Sequence, residues 1–164
     1  PVDFFCIDIG IKSDNISLFL TAEMRQQAIG VQSNPITLEV EKGAILKFAE
    51  AIGDNNPLWT DEAIARKSKY GGLITPPTFL RSIRIERPEL PFDLPFTRLL
   101  DGGSDWEYFQ PVRVGDHITA TNEITDLQER SGRMGLMIIM TNLITYVNQF
   151  TEVVATQTNT SIRY

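Results

Sequence analysis

From residue 102 to the carboxy terminus the chain reads as strands separated by turns, and this constrains its fold more than any other feature. The runs 106–109, 117–125, 136–147 and 153–164 have the character of strands. Turn-prone pairs such as Gly115-Asp116 and Ser131-Gly132 separate them. A β-meander of this kind has one face to cover, and the cover must come from the amino-terminal half.

That half supplies it. Ile36, Leu38 and Val40 alternate with Thr37, Glu39 and Glu41, which predicts one further strand. Over residues 43–52, Ile45, Phe48, Ala49 and Ile52 fall on one helical stripe, and Gly53 suits the left-handed residue that ends a helix. A second short helix is expected over 61–69, opened by Asp61 and Glu62 and closed by Arg66, Lys67 and Lys69 in keeping with the macrodipole; Gly71 and Gly72 stop it. Pro76 and Pro77 suit the start of a third, buried helix over 78–83, with Phe79, Leu80 and Ile83 facing inward. Pro88, Pro91 and Pro95 break any periodicity between 86 and 103, so a long irregular loop is expected there, of a length that is often functional. Helices packed on one face of an antiparallel sheet define an α+β class, and such a sheet commonly pairs with a second chain.

With 164 residues the chain suits a single domain over 1–164, in which 1–30 form an extension with a short helix. The net charge of −6 lacks the footprint of a nucleic-acid binder. The apolar stretches 16–20 and 136–140 fall far short of the roughly 18 residues a membrane span needs. The lone cysteine, Cys6, cannot form an internal disulfide, which fits a cytoplasmic setting and makes the Asn15 and Asn159 sequons chance matches. Asp3, Asp8 and Asp14 replace the basic stretch of a secretory signal, and Pro1 is not an initiator, so a preceding segment is expected to have been removed. A single His, a single Cys and scattered carboxylates form no ligand-spaced metal cluster. Gly71-Gly72 and Gly102-Gly103 lack the other residues of a phosphate loop. No cofactor is implied.

Three segments carry a resemblance. Phe48 to Leu58, with Gly53-Asp54-Asn55-Asn56-Pro57 at its heart, resembles the G-D-x-N-P-x-H signature of the MaoC-like hydratases and dehydratases, which include the R-specific enoyl-CoA hydratases. The stretch from Gly71 to Phe79 resembles the lead into that family's central helix, and Gln110 to Asp116 the turn before its middle strands. Together they span roughly 36–164 in the right order. The resemblance implies a hot-dog fold, an antiparallel sheet wrapped around a central helix. Two such units pair, as a homo- or hetero-oligomer, around an acyl-CoA or acyl-carrier thioester. Active members use an Asp, and a His five residues later, to move a proton as water adds to an enoyl thioester or leaves a 3-hydroxyacyl one. A group with a pKa near neutrality suits both directions.

By this resemblance Asp54 holds the catalytic Asp position, with Asn56 supporting, and Trp59 stands where the His is expected. Indole cannot exchange a proton at neutral pH. The chain's one histidine, His117, matches no catalytic position and reads as structural or surface. Active relatives also place a helix-initial glycine N–H against the thioester oxygen, whereas Pro77, at the matching position, has none to donate. One such donor is worth about 2.7–4 kcal/mol in other enzymes. The implied binding residues are Trp59, Gly72, Pro77, Thr78 and Phe79. The chain resembles the family's non-catalytic halves, which pair with a His-bearing subunit.

Plainer readings stand beside these. Asp54 and Asn56 follow a helix end, where such residues satisfy loose backbone groups. Trp59 can be simple core filling, and the cations Arg66, Lys67, Lys69, Arg81 and Arg84 either a solvated surface or a meeting place for phosphates. A homodimeric hydratase using Asp54, a hot-dog thioesterase and a non-catalytic acyl-CoA-binding protein are the alternative functions.

Overall fold

A computed structural model describes residues 19–164 apart from 133 and 134. Cys6, the three early aspartates and the Asn15 sequon lie outside the described residues.

The elements run in the order α1 (Ala22–Ala28), β1 (Ile36–Glu39), α2 (Lys42–Ile52), α3 (Pro57–Thr60), α4 (Glu62–Lys67), a 3₁₀ helix (Pro77–Ser82), β2 (Leu99–Tyr108), β3 (His117–Gly132), β4 (Gly135–Val147) and β5 (Val153–Arg163). The five strands form one antiparallel sheet in the order β1-β3-β4-β5-β2. The three consecutive strands of the meander make its centre, and the two strands that precede them in sequence are its edges. This is the hot-dog architecture.

Helix α2 forms as its stripe dictates: Ile45 and Ala49 are buried, and Gly53 closes it at φ +68° with its N–H bonded back into the last turn. Ile52 departs from the expectation at 48% exposure. Asp61 turns out to be the cap of α4 rather than its first residue, accepting from the N–H groups of Ala63 and Ile64 at 2.8 and 3.1 Å. The expected third helix is a single 3₁₀ stretch with Phe79 and Leu80 buried, and Ile83 to Ile85 continue in non-helical backbone.

Two strand limits also move. β2 begins at Leu99, inside the expected loop, and β3 runs seven residues beyond Thr125 to include Ser131 and Gly132, which were expected to turn. Both extensions are held by pairing, such as Arg130 opposite Met137 and Asp101 opposite Ser161, and not by an apolar alternation of their own.

The covered face of the sheet is packed in two clusters. At one end Ile118, Ala120, Ile144, Tyr146 and Ala155 meet α2, Trp59 and the 3₁₀ helix. At the other Ile124, Leu127, Ile138 and Met140 meet Ala28 of α1 and the apolar side chains of residues 90–96. Between the two lies a polar band.

Candidate functional site

The turn after α2 is built from its own side chains. Asp54 Oδ1 accepts the N–H of Asn56 at 3.1 Å, and Asn56 Oδ1 accepts the N–H of Leu58 at 3.0 Å as the cap of α3, with Pro57 at its first position. Trp59, 7% exposed, donates its indole N–H to the backbone carbonyl of Asp54 at 3.3 Å. The one-turn helix α3 was not expected, although Asn56-Pro57 is its cap and first residue in plain sight.

A cavity of about 410 Å³ opens beside this turn. Asn56, Leu58, Trp59, Ile74, Pro77 and Leu80 line one part of it, and Tyr108, Phe109, Pro111 and Val112 another. Its walls are mostly apolar and aromatic, the lining expected of a small-molecule cleft. Among the described residues that line it there is no carboxylate and no imidazole. Its titratable groups are the phenols of Tyr70 and Tyr108, and burial pushes the latter above its ordinary range.

The structure brings some of the expected residues together and separates others. Asn56, Trp59 and Pro77 meet at this cleft. Asp54 does not line it, and its carboxylate accepts the Asn56 N–H. Phe79 is buried in the core, and Thr78 is exposed. Gly72 lines a different depression, with Lys42, Glu62, Arg66 and Arg113. There the Lys42 ammonium, hydrogen-bonded to Glu62, and the neighbouring Arg66 hold the Glu62 carboxyl below its usual range. His117 is exposed at the start of β3, where its backbone N–H reaches Gln149 Oε1 at 3.0 Å.

A second cavity, about 260 Å³, lies over the polar band of the sheet. Its lining includes Asn122, Asn142, Tyr146, Gln157, Asn159 and Ser161. Tyr146 donates to Gln157 Oε1 at 3.0 Å, and Gln157 Nε2 donates to Ser104 Oγ at 2.9 Å. Asn142 Nδ2 reaches Asn122 Oδ1 at 2.9 Å, and Asn122 Nδ2 reaches the Glu86 carbonyl at 3.3 Å. Burial drives the Tyr146 phenol far above its ordinary range, so it stays a protonated donor. These residues went unnoticed in the sequence, yet a signal was present. Each falls on the inward phase of its strand, as in Ile138, Met140, Asn142, Ile144, Tyr146, where an apolar residue is the rule.

Residues 27–157 match the family model described as the FAS1-like dehydratase domain region. UPF0336 proteins from Streptomyces avermitilis, Streptomyces coelicolor and Thermobifida fusca are each 36% identical, over 57%, 65% and 60% of this chain and 66%, 75% and 68% of their own length. A probable enoyl-CoA hydratase alpha subunit from Thermomonospora curvata is 29% identical over 69% of this chain and 41% of that protein. A MaoC-like dehydratase from Rhodospirillum rubrum superposes with a TM-score of 0.68 at 26% identity, covering 88% of this chain and 97% of that one. The ChsH1-ChsH2 complex of Mycobacterium tuberculosis provides a chain of the same fold, with a TM-score of 0.72 at 20% identity and coverages of 87% and 88%.

Proposed function

Because the chain belongs to the MaoC-like hydratase and dehydratase family, through the FAS1-like dehydratase region, we propose that it is the substrate-binding half of a two-subunit enzyme. That enzyme hydrates enoyl thioesters or dehydrates 3-hydroxyacyl thioesters, and a second hot-dog subunit supplies the working Asp and His. The single observation that carries this reading is Trp59. An indole occupies the place of the proton-shuttling imidazole, and its only donor is committed to the Asp54 carbonyl.

Three further facts support it. The Asp54 carboxylate serves the turn and does not line the cleft. Pro77, which lines the cleft, has no N–H to offer a developing oxyanion. A relative is named as an alpha subunit, and a neighbour of the same fold was solved as a complex of two different chains. In this arrangement the aromatic cleft holds the acyl thioester, and the chemistry belongs to the partner. The intervening wall needs no acid or base of its own.

The test is crotonyl-CoA hydration, followed by loss of the enoyl absorbance. The lone chain should show no turnover above the uncatalysed rate, and turnover should appear when a hot-dog subunit with an intact Asp and His is added. Replacing Asp54→Asn should leave the reconstituted rate within a few-fold of the starting value. Robust hydration by the lone chain, abolished by that substitution, overturns the proposal in favour of a self-sufficient hydratase.

A further inference from the structure

The 3₁₀ helix contributes to two cavities of different character. Its Pro77 and Leu80 line the Trp59 cleft, whereas its Arg81 and the segment beyond it, with Ile83, Ile85 and Arg87, line the cavity over the band of amides. The helix stops at Ser82, so the sheet past it is roofed by non-helical chain, which leaves a space of about 260 Å³. Asn122 Nδ2 ties this roof to the sheet by donating to the Glu86 carbonyl at 3.3 Å. The two linings meet through stacked rings: Trp106 lies 5.7 Å from Tyr108 of the cleft and 5.5 Å from Tyr146 of the cavity.

Charge separates the two spaces. Among the described residues no charged side chain lines the Trp59 cleft, while Arg81 and Arg87 both line the cavity. Neither arginine pairs with a carboxylate among the described residues. Asp101 is the one acid of the lining, and its Oδ1 is held to the sheet by the Gly103 N–H at 3.0 Å and Asn159 Nδ2 at 3.4 Å. The charge of Arg81 is felt at the cavity floor. Burial pushes the Tyr146 phenol up, and the Arg81 guanidinium opposes that push. The rest of the lining is neutral, made of amides, hydroxyls and apolar side chains such as Ile83, Ile85 and Leu99. The arginines thus leave a positive balance over a concave neutral wall, where the field of a charge is focused.

We propose that this cavity receives a carboxylate at the far end of an acyl chain, held by Arg81 and Arg87, so that the protein takes thioesters of dicarboxylic acids. A guanidinium stays charged at every physiological pH and presents a planar fork of N–H donors that fits a carboxylate in two parallel bonds. A hydrocarbon tail entering the same space strips water from the two cations and replaces it with nothing. The uncharged cleft and the cationic cavity sort the two ends of one ligand, with the thioester in the first and the carboxylate in the second. The assignment to a thioester's tail rests on the thioester-binding reading, but the carboxylate pocket is testable without a thioester.

The decisive comparison is monomethyl octanedioate against dimethyl octanedioate, two ligands of one chain length that differ by a single charge, titrated into the full chain by calorimetry with amide chemical shifts recorded alongside. The half ester should bind at least about tenfold more tightly, with the largest shifts at Arg81, Arg87 and Tyr146, and its advantage should shrink at high salt. Arg81→Gln together with Arg87→Gln should bring the preference near unity without lowering the melting temperature, since both side chains are exposed. Arg84→Gln, at an exposed neighbour that does not line the cavity, should leave the preference unchanged. Equal binding of the two esters overturns the inference. So does a preference that survives the double substitution, one that is lost equally in Arg84→Gln, or a shift map confined to the Trp59 cleft. A parallel titration with octanoyl-CoA reports on the thioester reading separately. Its failure, beside a retained preference for the half ester, counts against that reading and not against the pocket.

Discussion

The turn at Asp54–Trp59 and the amide band spend polar groups in opposite ways. In the turn each bond spans two to five residues of sequence, so the polar atoms are satisfied by the chain that carries them and the motif closes on itself. In the band the bonds join residues 11 to 58 positions apart. A stretch that resembles a catalytic signature thus works as a local brace, while the long-range polar network lies where no signature points. Resemblance marks where relatives do chemistry; in this chain the same stretch is taken up by its own turn.

Several substitutions break or sharpen that contrast. The largest effect is expected at Tyr146, which is 1% exposed, stacks on Trp106 at 5.5 Å and anchors Gln157. Tyr146→Ala should cost about 3–5 kcal/mol of unfolding free energy in urea titrations, as for other buried aromatics. Next, Asn142→Leu alone strands Asn122 Oδ1 and should cost about 1–3 kcal/mol, whereas the paired Asn122→Leu/Asn142→Leu change should recover most of it. If the pair is as unstable as the single variant, the band is a structural necessity and the contrast fails. In the turn, Asn56→Ala removes one helix cap and should cost about 1 kcal/mol, read from the same titrations. Asp54→Asn keeps the accepting oxygen and should stay within about 0.5 kcal/mol of the original.

The smallest effect belongs to Glu62. Lys42 and Arg66 hold its folded-state pKa below the ordinary carboxylate value. Its contribution is therefore complete above that value and fades as pH falls through the lower folded pKa. Glu62→Gln should flatten the acid limb of a melting-temperature profile slightly, and added salt should erase the difference because these ion pairs lie at the surface.

What the sequence disclosed follows the same division. Helix α2, its Gly53 closure and the β3–β4–β5 meander were legible because their determinants lie within a few residues of one another. The polar ends of β2 and β3 were not, since Asp101 and Arg130 become strand residues only through partners far along the chain. The helix expected over 78–83 tightened to 3₁₀ geometry between Pro76 and the β-branched Ile83 and Ile85. The Trp59 cleft was half visible: Trp59 and Pro77 come from the motif, but Tyr108 and Phe109 join from an edge strand whose place no local pattern fixes. Asn122, Asn142 and Gln157 were each visible as a polar residue on an inward phase. Only the register of the strands makes them one site.

The sheet order also sets an order of assembly. Three strands that follow one another closely in sequence can zip together with little loop-closure entropy, whereas Leu99–Tyr108 must cross the whole meander to reach the far side of Val153–Arg163. The last strand to dock is thus the one that brings Ser104 to Gln157 and Asn159 and contributes Leu99, Leu100 and Asp101 to the roofed space. Until it arrives the amides of Gln157 and Asn159 face water, so the long-range bonds of the band close only with this strand.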